Sequence, residues 1–208
     1  MKKSLLALAL FAAIGSAFAD AGQTAVSVDY QVQTVDNNSA PDQQQLSVGV
    51  KHFLTKEFAI DGGISAAQNG DNNVGPTSGA RFKDATRYEI GASYQRAIVG
   101  PVDGYARLGL GYKAPSGTQM FGYNSEEVGV VAHLPANFDA KLGYRWRQAN
   151  DTNIATGQTD TSRTVRYGVA YNFNKANTVA LNLDKVSVPA NQGPDQTAYH
   201  VTYTHKFD

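Results

Sequence analysis

The sequence predicts an all-β fold: a closed, antiparallel, up-and-down barrel of about ten strands that crosses a membrane. Three observations lead there. Apolar and polar residues alternate with period two through successive short segments. Long polar connections alternate with tight ones. The polar face of the segments is rich in glycine, while the apolar face is rich in aromatics.

Composition narrows the classes first. The chain has 208 residues, 42% hydrophobic and 17% charged, with 20 Gly, 11 Tyr, 9 Phe and no Cys. That is ample for one sizeable core, and the aromatic content with low, balanced charge argues against disorder. Lys+Arg and Asp+Glu both number 18, so no basic excess points to nucleic acid. Without cysteine there are no disulfides, thiolate metal sites or Cys nucleophiles.

Residues 1–19 read as an export signal. Lys2 and Lys3 precede the uncharged run Leu5 to Ile14, and Ala17-Phe18-Ala19 supplies small residues for cleavage after Ala19. The run is shorter than the roughly 20 residues a spanning helix needs. Residues 20–208 are then expected to form the barrel. Without Lys2 and Lys3, 16 basic side chains face 18 acidic ones, a net of −2.

Ten segments follow. Val26, Val28, Tyr30 and Val32 oppose Ser27, Asp29, Gln31 and Gln33. Leu46, Val48 and Val50 oppose Ser47, Gly49 and Lys51, and Phe58, Ile60 and Ile64 oppose Asp61, Gly63 and Ser65. The fourth sets Tyr88, Ile90, Ala92 and Tyr94 against Arg87, Glu89, Gly91 and Ser93, and the fifth sets Ala106, Leu108, Leu110 and Tyr112 against Arg107, Gly109, Gly111 and Lys113. In the sixth, Val128, Val130 and Leu134 face away from Glu127, Gly129 and His133, with Val131 breaking the alternation. The seventh opposes Phe138, Ala140, Leu142, Tyr144 and Trp146 to Asp139, Lys141, Gly143, Arg145 and Arg147. The last three place Val165, Tyr167, Val169, Tyr171 and Phe173 opposite Arg166 and Gly168; Val179, Leu181 and Leu183 opposite Asn182 and Asp184; and Tyr199, Val201, Tyr203 and Phe207 opposite His200, Thr202, Thr204 and Lys206. Each approaches the 9–11 residues of a tilted membrane-crossing strand.

The odd connections are expected to be long: Asp36 to Asp42, Asn69 to Ala80, Ala114 to Tyr123, Gln148 to Thr161 and Pro189 to Asp195. The even ones are expected to be tight: Thr55-Lys56, Val99 to Asp103, Pro135-Ala136 and Asn174 to Ala176. Short turns at one end and longer loops at the other are the layout of outer-membrane barrels. The faces set the orientation. A soluble barrel turns apolar residues inward, whereas a membrane barrel shows them to lipid and encloses polar ones. Glycines on the polar face, and aromatics towards both ends of the apolar face, favour the second arrangement. Closure follows, because an open edge in hydrocarbon leaves backbone groups unpaired.

The leader, the amphipathic meander and the closing segment Tyr199 to Phe207 together resemble a Gram-negative outer-membrane β-barrel protein. The resemblance implies location in the cell outer membrane, contact with its lipid and lipopolysaccharide, and a terminal signal, Tyr203 and Phe207, read by the barrel-insertion machinery. Asp208 follows the aromatic, and His205 stands where an apolar residue is commoner. The mid-chain segments also faintly resemble the small oligogalacturonate-specific monomeric porins, which have more strands than ten. A monomer is expected.

The inward face is expected to carry Lys51, Arg87, Arg107, Lys113, Lys141, Arg145, Arg147, Arg166 and Lys206 against Asp29, Asp61, Glu89, Glu127, Asp139 and Asp184. Nine cations against six anions leave a basic surplus, and Lys141, Arg145, Arg147 and Arg166 on consecutive strands predict a basic wall. A stripe of Arg and Lys in a pore favours anions, so the expectation is a porin-like barrel for passive, ion-transport-type movement of small anionic solutes. The opposing reading is a structural or surface-interaction barrel whose lumen ion pairs form a plug, with binding left to the loops. An outer-membrane enzyme is the third class and is not favoured. No His and carboxylate spacing suits a metal, no cofactor is implied, and His133 and His200 should lie far apart. His52 and His205 fall on the apolar face near the short turns. His200-Val-Thr202 has a hydroxyl two residues from an imidazole but no partner Glu, and Asp151 and Asp160 read as solvated loop acids.

Overall fold

A computed structural model describes residues 20–36, 43–69, 84–116, 120–153, 158–189 and 195–207. The leader and the centres of the loops lie outside the described residues. Ten strands follow in order: β1 (Thr24–Val35), β2 (Gln43–Phe53), β3 (Phe58–Asn69), β4 (Ala85–Val99), β5 (Val102–Pro115), β6 (Phe121–Leu134), β7 (Phe138–Asn153), β8 (Gln158–Asn172), β9 (Asn177–Ser187) and β10 (Gln196–Phe207). Each pairs antiparallel with its sequence neighbours, and β1 closes on β10 through Thr24↔Phe207 to Val35↔Gln196. The expected closed meander is what the chain forms.

Register sets the barrel's dimensions. A line drawn perpendicular to the strands leaves Phe207 and passes through Thr24, His52, Ile60, Ala92, Leu108, Glu126, Trp146, Arg163 and Ser187. One pair beyond Gln196↔Val186 brings it back to β10 level with Asp195, twelve residues from its start. A shear of twelve over ten strands gives a tilt of about 40° and a backbone radius of about 10 Å, using the usual strand rise and spacing. Unrolled on those values, Phe58, Phe138, Phe173 and Phe207 share one level, and Tyr30, Tyr88, Trp146 and Tyr199 lie about 20 Å above them. The apolar band between aromatic girdles thus matches the ~25 Å of outer-membrane barrels.

The barrel is apolar outside and polar inside. Ile90, Leu108 and Leu181 are 66%, 66% and 60% exposed, whereas Asp184 and Glu89 are 2% and 3% exposed. Charges do reach the outer surface at Glu126, Arg163 and Lys185, but the unrolled sheet puts them level with the upper girdle, where headgroups begin.

Val131, the apolar residue that interrupts the polar face of β6, points inward and is fully buried among lumen side chains. Two sequence expectations need correcting. Half of the span Ala114 to Tyr123 and most of Gln148 to Thr161 are strand, since β5 reaches Pro115, β6 begins at Phe121, and β7 and β8 pair as far as Asn153↔Gln158. Hydrogen-bonded pairing continues above the apolar band, where both faces become polar and the period-two signal fades; a register shift between Gln148 and Thr152 marks the change. Asp103 belongs to β5 and points inward, so the tight turn before it is only Gly100-Pro101. The β6–β7 turn is also tight, with Ala136 and Asn137 at φ 59° and 64°. That left-handed conformation suits Asn better than Ala.

Candidate functional site

The lumen holds a cavity of about 980 Å³ whose lining runs from Met120 and Asp160 at the loop end to Asp139 near the short turns. Lys51, Arg87, Arg107, Lys113, Lys141, Arg145, Arg147 and Arg166 all line it, as do Asp29, Asp61, Glu89, Glu127, Asp139 and Asp184. Lys206 is buried on the same face near the short-turn end. Tyr203 and Phe207 face outward, 45% and 49% exposed.

Most of these charges are spent on one another. Arg107 of β5 lies flat across β4 to reach Asp61 of β3, with Nε 3.0 Å and 3.1 Å from the two carboxylate oxygens, and it also pairs with Glu89. Arg166 grips Asp184 with two parallel bonds of 2.7 Å and 2.6 Å, the fork geometry that suits a carboxylate. Arg145 adds a 3.4 Å contact to Asp184. Lys141 pairs with Glu127 at 3.0 Å, and the Tyr105 hydroxyl donates to the same carboxylate at 2.9 Å. The predicted basic wall on β7 and β8 is therefore largely neutralised. These groups form a belt at mid-barrel.

Glycine makes the belt possible. A Cβ at Gly91 would sit 2.6 Å from an Arg107 nitrogen, and one at Gly129 or Gly143 would collide with Tyr105. Bare backbone on the lumen face is the floor over which long side chains from neighbouring strands lie. This explains the glycine-rich polar face of the sequence: in a barrel about 10 Å in backbone radius, large side chains need small neighbours.

His200 sits inside the belt, with Nδ1 3.1 Å from Asp29 and Nε2 3.4 Å from Asp184, and Thr202 donates to Asp29 at 2.6 Å. Asp29 thus holds both the imidazole and the hydroxyl. The hydroxyl is bonded to the carboxylate rather than to the imidazole, so the hydroxyl–imidazole pair of a His-activated nucleophile is not made here. His133 is at the short-turn end, bridging Asp139 at 2.7 Å and Asp103 at 3.1 Å, with Gln95 on Asp103 and Asn172 on Asp139. The two imidazoles belong to separate networks. His52 and His205 bond Thr24 and Asn177. Among the described residues no group of three or more His, Asp or Glu is arranged to hold a metal.

Above the belt the balance changes. Arg87 and Lys113 stand directly opposite each other on β4 and β5, and neither has a carboxylate within 4 Å among the described residues. Arg147 reaches only Glu89, at 3.4 Å, a carboxylate that Arg107 also holds. The ring of Tyr123 is near both guanidiniums, its centroid 6.0 Å from Arg87 and 5.5 Å from Arg147, while its hydroxyl donates to Glu89 at 2.7 Å. Sequence reasoning placed Tyr123 in a loop and overlooked it, Tyr105 and Asp103 as lumen residues. The inward parity of Tyr105 and Asp103 along β5 was the available signal.

No known family model matches the chain, and no curated protein matches its sequence. Solved structures do match its fold. An outer-membrane channel of Pseudomonas putida F1 is similar at a TM-score of 0.54 and 11% identity, covering 91% of this chain and 97% of that one. The β domain of the Bordetella autotransporter BrkA is similar at a TM-score of 0.50 and 12% identity, covering 90% and 100%. The chain has the fold of the outer-membrane β-barrels.

Proposed function

We propose that the protein is an outer-membrane barrel whose lumen passes small anionic solutes by passive diffusion. The observation that carries this reading is the charged cavity of about 980 Å³, lined from the loop rim to Asp139. Its lining balances eight cations with eight carboxylates, and two cations with no carboxylate within 4 Å among the described residues, Arg87 and Lys113, stand towards the loop end. Cations lining a narrow path lower the barrier for anions and raise it for cations. The outward apolar band and two aromatic girdles support residence in the outer membrane with the longer loops outermost. Tyr203 and Phe207, exposed on the last strand, are proposed as the segment read during insertion.

The mid-barrel belt favours a second reading. Arg107, Asp61, Glu89, Arg166, Asp184 and His200 reach into a barrel of narrow bore, and a paired network there would act as a plug. Binding by the loops would then remain as the function; the loop segments at 37–42, 70–83 and 190–194 lie outside the described residues. Planar-bilayer recording on the folded chain separates the two. Stepwise conductance with a reversal potential set by the anion gradient supports the path, and a silent bilayer containing folded barrel supports the plug.

A further inference from the structure

We infer that the outer third of the lumen holds a binding site for a small oxyanion, carboxylate or phosphate, built by Arg87, Lys113 and Arg147 around the ring of Tyr123. It deepens the reading of the lumen as an anion path.

The first argument is charge. Like charges directly opposite on adjacent strands are destabilising, yet Arg87 and Lys113 are paired in this way. At mid-barrel the chain supplies carboxylates for its cations: Asp61 and Glu89 for Arg107, Glu127 for Lys141, Asp184 for Arg166 and Arg145; Lys51, lower on β2, instead lies over the Phe53 ring. Lys113 instead feels the like charges of Arg87 and Arg147, with Asp160 of the rim as the opposing field. Three cations with a shared Glu89 and the rim carboxylates Asp151 and Asp160 leave at most about one positive charge, which a single small anion would balance.

The second argument is geometry. The Nε of Arg147 is buried with no hydrogen-bond partner among the described residues, a state it shares with the Nε of Arg145 in the belt and an uncommon one for a charged donor. Tyr123 is fixed by its bond to Glu89, and the guanidiniums of Arg87 and Arg147 both lie within 6.0 Å of its ring centroid, with Lys113 opposite Arg87 in register. Two planar forks and an ammonium clustered about one ring are a donor set that suits oxyanions. The unrolled barrel puts this trio about 10 Å above the Arg107–Asp61 pair, joined to the belt through Glu89.

The third argument is the opposite wall. Across the lumen, β10, β1 and β2 present interlocked amides, with Gln45 donating to Gln31 at 3.2 Å and Gln31 to Gln33 at 2.8 Å. Gln33 in turn bonds Gln196. This wall is neutral, so it neither competes with the anion nor repels it, and its spare oxygens and amide hydrogens suit the uncharged part of a solute.

The test is calorimetric titration of the folded, full-length chain in detergent micelles with inorganic phosphate and, separately, succinate, at constant ionic strength set by chloride. Saturable binding of at least one oxyanion is expected, weakened about tenfold each by Arg87→Gln and Lys113→Gln. Lys175→Gln, in the β8–β9 turn, should bind like the parent. Whichever oxyanion binds more tightly names the class. Heat-dependent migration on gels confirms that each variant is folded. Absence of saturable binding, or equal binding in the Arg87 and Lys113 variants, overturns the site. Binding without bilayer current leaves the site standing and removes the diffusion path; current without binding does the reverse.

Discussion

The mid-barrel belt and the crown of cations above it use the same residue types to opposite ends. In the belt, Arg166 and Asp184 face each other in register and bond through both guanidinium nitrogens. In the crown, Arg87 and Lys113 face each other in register with nothing between them to cancel the charge. A buried ion pair roughly offsets its own desolvation, whereas an uncompensated buried charge is costly. The belt is thus a structural device that costs the fold little, and the crown is a concentration of unfavourable charge that the fold tolerates. The difference teaches where to look for function. Charges that complete one another hold the wall in shape, and those left over face the solute.

Breaking the belt should have the largest effect. Asp184→Ala leaves Arg166 and Arg145 without their carboxylate and His200 without one of its two, and should cost about 3 kcal/mol of unfolding free energy. Urea unfolding in micelles, followed by the fluorescence of Trp146, the single tryptophan, reads this directly. A loss below about 1 kcal/mol would show that the belt is too well hydrated for pairing to matter. Gly129→Ala should come next, at about 1–3 kcal/mol, because the added methyl meets the Leu142 carbonyl and the Tyr105 ring that braces Glu127. Gly62→Ala serves as the contrast: its Cβ would meet the Ile90 side chain at an ordinary 3.6 Å, so it should unfold with the parent.

The fold was legible because a barrel with one face in lipid enforces period two at nearly every position, and ten such segments with alternating connections admit few other architectures. The boundaries failed where that enforcement stops. Beyond Gln148 on β7 and before Thr161 on β8 both faces meet water or headgroups, so pairing persists without a pattern to reveal it. Lumen parity was legible for the same reason and placed the nine cations and six carboxylates it named on the inner wall, while missing Asp103 at the foot of β5. Partner choice was not. Register sets Arg107 opposite Glu127 and Glu127 opposite Arg145, yet Arg107 turns away over Gly91 to Asp61, and Glu127 takes Lys141 instead. Side chains lying around the wall reach two strands away, a choice decided by which glycines open a floor rather than by any local spacing. Of the basic wall read from β7 and β8, Lys141, Arg145 and Arg166 are engaged by carboxylates, and Arg147 stands above them with Arg87 of β4 and Lys113 of β5.

The smallest effect sharpens the comparison from the other side, because it is a gain. If the crown is repulsive in the absence of a bound anion, removing one of its charges should stabilise the barrel. Lys113→Met keeps the length of the side chain and deletes the ammonium opposite Arg87, and should raise the unfolding free energy by about 0.5 kcal/mol in chloride at low ionic strength. The gain should shrink as salt is added, since screening already weakens the repulsion in the parent. Lys141→Met, the matched change in the belt, should move the other way, because it strands Glu127 with only the Tyr105 hydroxyl. Opposite signs for two lysine-to-methionine changes in one lumen would establish that pairing, not burial or charge alone, divides the two regions. A loss in both would mean that Lys113 has found a carboxylate, Asp160 being the nearest in its field, and the crown would then be an extension of the belt.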